Sequence, residues 1–114
     1  MKVQVVDYNE NWIIHFEQEA KKLKDIFGDE LIDIHHKGST SVPELQAKPI
    51  IDIMPVVRRI ELVDAYNSRM EFLGYECMGE LGISGRRYFR KRGDNRTHQI
   101  HIFEPDDAKD ALVK

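Results

Sequence analysis

The nonapeptide PIIDIMPVV, residues 49–57, constrains the fold of this chain more than any other stretch. Its β-branched, apolar run reads as a strand. Proline cannot donate to a β-ladder, so Pro49 is expected as the first strand residue and Pro55 at a bulge or edge near the end. Asp52 sits in the middle of this run, and burying an unpaired carboxylate is expensive. Asp52 therefore needs a partner: a metal ion, a phosphate-bound metal, Lys48, a neighbouring arginine, or a partly exposed ion pair at the strand end.

The flanking segments supply the elements that such a strand packs against. Asn9 or Asn11 can cap a helix on which Trp12, Phe16, Ala20, Leu23 and Phe27 recur at spacings of four and three. Glu17, Glu19, Lys21, Lys22 and Lys24 are expected on its outer faces, and Gly28 near its end. LIDIHH reads as a strand. Ile60, Val63, Tyr66, Met70 and Leu73 form a second helical stripe closed by Gly74. VQVV near the start, YECMGELG, GRRYFRKRG and RTHQIHIFE read as strands, with RGDN as the last hairpin turn. This order predicts an α+β domain with helices mainly on one face of a mixed sheet.

At 114 residues the chain is expected to form a single domain, with residues 105–114 as a weakly ordered tail, either a weak helix or a disordered end. Cys77 is the only cysteine, which excludes an internal disulfide and a four-cysteine zinc site. MKVQVVDYNENW has no apolar core of signal-peptide length, and no window approaches the ~18 apolar residues of a membrane span. The expected setting is cytoplasmic, without a membrane partner. A formal net charge of −3 argues against wholesale wrapping of nucleic acid but leaves room for a local basic patch.

Three further features carry chemistry. In HHKGSTSVPELQAK, residues 35–48, Gly38 would let a backbone come close to a phosphate, while Ser39 and Thr40 offer hydroxyls. The bland alternative is a serine that only caps a helical turn. No Gly-Lys-Ser/Thr follows at P-loop spacing. GRRYFRKRGDNR holds six basic residues against Asp94, and alternation puts Arg87 and Arg90 on opposite faces, so at least one should point toward a phosphate; the alternative is a solvated, aggregation-resistant edge. On THQIHIFE, His101 shares the more polar face with Thr97 and Gln99, whereas His98 is expected to pack. His35 and His36 point to opposite faces, so a zinc site could combine His101 and Asp52 with only one of them.

Taken together, HHKGSTSVPELQAKPIIDI, GRRYFRK and THQIHIF resemble the GrpB family of small bacterial proteins, from about Val5 to Phe103. The resemblance implies a nucleotidyltransferase-like fold in which a Gly-Ser turn, here Gly38 and Ser39, adjoins strands that present acids to a magnesium-bound nucleotide. On that reading Asp52 and His101 would be the catalytic and metal-holding residues. Gly38, Ser39, Thr40, Lys48, Arg87 and Arg90 would bind phosphate, and Mg2+ would be the cofactor. The implied activity is nucleotidyl or phosphoryl transfer; the alternative is a module that binds a nucleotide or coenzyme A-type phosphate without chemistry. The chain departs from the pattern in three places. Glu44 stands where the family usually has glycine, Ile50 and Met54 occupy the positions two residues from Asp52 where a second acid is wanted, and His101 replaces a third. Relatives of this kind usually continue with further helices, so the expectation is either a site that is open here or a second copy, a homodimer, that covers the exposed sheet.

Overall fold

Asn9 starts the first helix: its side-chain oxygen accepts the Asn11 N–H at 2.8 Å and its carbonyl takes the Trp12 N–H at 3.0 Å. These bonds satisfy donors that a first helical turn leaves open. The structure, a computed structural model, describes residues 6–41, 49–91 and 97–112. Helix α1, Asn11–Phe27, buries Trp12, Ala20, Leu23 and Phe27 and ends at Gly28, whose φ of +53° suits glycine. Strand β1, Leu31–Lys37, then leads into a 3-10 turn at Ser39–Ser41. Strand β2, Ile51–Val57, begins two residues after Pro49, so Pro49 precedes the strand rather than opening it.

The second helical stripe forms in two parts. Ile60–Tyr66 winds as a 3-10 helix and continues into α2, Asn67–Phe72. The side-chain spacing explains the change: Ile60, Val63 and Tyr66 recur every three residues, as a three-residue turn requires, whereas Tyr66 to Met70 is a step of four. Strands β3 (Tyr75–Cys77), β4 (Arg87–Lys91) and β5 (His98–Ile102) follow, and helix α3 spans Pro105–Leu112. The expected VQVV strand and RGDN turn lie wholly or mostly outside the described residues.

The five strands form one mixed sheet in the order β1-β2-β5-β4-β3, parallel only between β2 and β5. Pro55 lies where the parallel ladder lapses between the Ile53–Ile100 pair and the isolated Val56–Phe103 bridge, so its missing N–H breaks little. Ile51, Ile53, Val57, Phe89, Ile100 and Ile102 face α1 and the second helical segment, forming the main core with Leu23, Phe27, Val63 and Met70. On the other face, α3 seats Ala108 against Met54, Val56 and Phe103. The segment expected as a weak tail therefore has a packed helix, opened by Pro105 in a position that needs no N–H. The α+β class and the mixed sheet with helices mainly on one face are as expected. No helix among the described residues is long and apolar enough to cross a membrane.

Candidate functional site

β1 and β2 bring the Gly-Ser turn and the lone acid together. Lys37 pairs with Asp52 in the antiparallel register, and Asp52 in turn pairs with Gln99 on β5. Gly38 has φ +74°, and a Cβ built there would fall 2.5 Å from Asp52 Oδ2. A side chain at position 38 would be strained by its backbone and blocked by the carboxylate. The glycine is thus required by close approach as well as by the turn.

On its other side Asp52 meets a chain of polar groups. Its Oδ1 lies 3.4 Å from His101 Nε2, and His101 Nδ1 lies 3.5 Å from Arg86 Nη1. A guanidinium can only donate, so Nδ1 accepts and the ring proton resides on Nε2, facing Asp52. Arg86 is only 8% exposed. It donates to the Glu80 and Leu81 carbonyls at 3.2 and 3.1 Å and lies 5.0 Å from the centre of the Tyr88 ring. Burial lowers its pKa and Tyr88 opposes that shift. In this arrangement His101 bridges Arg86 and Asp52 and orients the carboxylate.

The other expected phosphate groups separate. Thr40 is turned inward: its hydroxyl donates to the Ile50 carbonyl at 3.3 Å and accepts from His36 Nε2 at 3.0 Å, a division that its single proton requires. It is fully buried and offers no hydroxyl to the corner. His36 stacks on Phe16 with ring centroids 4.7 Å apart, and burial holds its pKa below the ordinary histidine value against the pull of Asp52. Ser39 lies in the turn beside Gly38, and Ser41 closes that turn by donating to the Gly38 carbonyl at 2.6 Å. Lys48 lies outside the described residues. Arg87 points to the helix-covered face, where its Nε donates to Asp64 at 2.9 Å, so it is not part of the corner. Arg90 shares the Asp52 face and pairs with Glu76, its buried Nε 3.4 Å from Oε1 and its Nη2 donating to Oε2 at 3.4 Å.

One charged cluster was not anticipated. Glu19, expected on an outer face of α1, is 3% exposed. It accepts from the Tyr75 hydroxyl at 2.6 Å and from Lys91 at 3.1 Å. Burial alone would raise its pKa, but these bonds and the Lys91 charge outweigh burial and lower it. His98 lies nearby, and burial takes its pKa down to about 4 with Lys91 acting in the same direction. The only signal in the sequence was an acid three residues before Lys22, on a helix otherwise patterned by its apolar stripe.

Magnesium takes oxygen ligands, commonly one or two carboxylates completed by substrate phosphates and water. Asp52 fits such an ion arriving on a phosphate. Among the described residues no three His, Cys, Asp or Glu side chains form a group able to hold a metal, so the zinc combination of Asp52, His101 and His35 or His36 is not assembled. A resident pair of ions does not fit these donors either.

The chain matches the GrpB protein family over residues 2–113. It is 50% identical over 103 residues to UPF0157 protein YqkA of Bacillus subtilis (strain 168), covering 90% of this chain and 30% of that protein. Over 108 residues it is 34% identical to glutamate-rich protein GrpB of Alkalihalophilus pseudofirmus, covering 90% of this chain and 62% of that one. The crystal structure of conserved protein GrpB from Enterococcus faecalis superposes with a TM-score of 0.92 at 47% identity, over 96% of this chain and 66% of the other. The chain spans less than two thirds of the length of these relatives, yet the match takes in the turn, the lone acid, the basic hairpin and the histidine strand together. The chain therefore belongs to the GrpB family.

Proposed function

We propose that the chain recognises a nucleotide or another phosphorylated small molecule that carries magnesium, at the corner made by Gly38, Asp52 and His101. The observation that carries this reading is the 2.5 Å approach of a virtual Gly38 Cβ to Asp52 Oδ2: a carboxylate lies directly against bare backbone. In this reading, N–H groups of the turn take phosphate oxygens, Asp52 holds the phosphate-borne ion, and Arg86 through His101 keeps the carboxylate oriented. Arg90, on the same face and paired with Glu76, would offset further phosphate charge.

Among the described residues no group of three acids or histidines gathers at Asp52, which favours recognition over turnover. Nucleotidyl or phosphoryl transfer is the second reading, and it would need further acids beside Asp52 to hold its ions. Calorimetric titration of ATP, GTP and coenzyme A, with and without magnesium, tests the proposal on the native chain and on Asp52→Asn. Binding that needs magnesium and is lost in Asp52→Asn supports it. Binding indifferent to both, or no binding, overturns it.

A further inference from the structure

We propose a second ligand site on the opposite face of the sheet, a cleft between α1 and the adjoining ends of β4 and β5 that takes a small molecule bearing a phosphate or carboxylate group. The cleft measures about 570 Å³, within the range of small-molecule sites. His15, Gln18 and Lys22 line it from α1 at spacings of three and four, so they share one helix face; Lys91, Thr97 and His98 line it from the strands.

Glu19 forms the floor, and both its oxygens face a cation or a donor. Oε1 accepts from Tyr75 and Lys91, and Oε2 lies 3.6 Å from Lys22. Two ammonium groups thus face one carboxylate, leaving a positive excess. A cation entering here would meet both lysines, whereas an anion would meet the N–H donors of their ammonium groups. Lys91 has three N–H bonds and directs one to Glu19 while lying 5.1 Å from the Tyr75 ring centre. Lys22 has a side chain 52% exposed and can swing onto a ligand. Gln18 adds an uncharged donor, and Thr97 Oγ1 and His98 Nδ1, bonded to each other at 2.8 Å, leave one further proton for a ligand because burial keeps His98 neutral at pH 7. Glu19 fixes the Lys91 ammonium beside the cleft, where it faces a ligand.

The site is independent of Asp52, and the test separates the two. Inorganic phosphate and acetate are titrated separately against the 15N-labelled native chain, Lys22→Ala and Asp52→Asn, with ionic strength fixed by chloride. Saturating shifts at Gln18, Lys22, Gly74, Thr97 and His98 with at least one probe support the site. They should weaken about tenfold in Lys22→Ala, as expected for one lost charge-assisted hydrogen bond, and persist in Asp52→Asn. Shifts that never saturate with either probe, that ignore Lys22→Ala, or that lie at Gly38 and His101 and vanish in Asp52→Asn overturn it.

Discussion

Gly38 shows how much one residue can determine. With φ at +74° and Asp52 where its Cβ would go, Gly38→Ala must both strain the backbone and push the carboxylate aside. It should cost roughly 1–3 kcal/mol in urea unfolding and displace Asp52 from His101. Arg86 acts at one remove from the corner. Because it donates to His101 Nδ1, 15N spectra of the neutral ring should show the proton on Nε2, and Arg86→Met should mix in the other tautomer. A native ring protonated on Nδ1 would contradict the relay. His98 sets a pH dependence. Its pKa falls from 6.5 in the unfolded chain to about 4 in the fold, so between those values the unfolded state binds the extra proton. Its contribution is complete above pH 6.5 and is lost as pH falls toward 4. His98→Gln should flatten the unfolding free energy across that window, as measured by urea titration at several pH values.

At the scale of elements, the sequence was legible where packing follows local periodicity. The stripe of α1, the Gly28 and Gly74 stops and the alternation of β4 and β5 all depend on residues a few positions apart, and each appears in the structure. Alternation separated Arg87 from Arg90 and His98 from His101, but it could not say which face a helix would cover, so Arg87 was placed beside the site instead of against Asp64. Glu19 was misread for the opposite reason. Its partners Tyr75 and Lys91 lie 56 and 72 residues away, and no local pattern reports a bond of that span. A hydroxyl after glycine reads as a phosphate donor, yet the partners of Thr40 are the Ile50 carbonyl and His36. The Glu19 cluster ties three elements together, which predicts a contrast between two substitutions. Tyr75→Phe, which removes a buried bond to a charged group, should cost roughly 1.5–3 kcal/mol, and Lys22→Ala under about 1 kcal/mol. Equal costs in chemical denaturation would show that the cluster does not tie α1 to the sheet.

Across the whole molecule the mixed sheet divides two kinds of surface. One face carries the main core under α1 and α2, with the Glu19 cleft at its rim. The other is covered by α3 at Met54, Val56 and Phe103, while Asp52, His101 and Arg90 stay partly open. This division explains why a strand as apolar as β2 can carry an acid at its centre: residues 51, 53 and 57 face the main core, while 52 faces the less covered side. The proposed arrival of a phosphate-borne metal ion on Asp52 is tested most directly with manganese in place of magnesium. Mn2+–ATP is added to the 15N-labelled chain and paramagnetic broadening is mapped. Broadening centred on Gly38, Asp52 and His101 that disappears in Asp52→Asn is the predicted result. Broadening elsewhere, or broadening at the corner that survives Asp52→Asn, would contradict it.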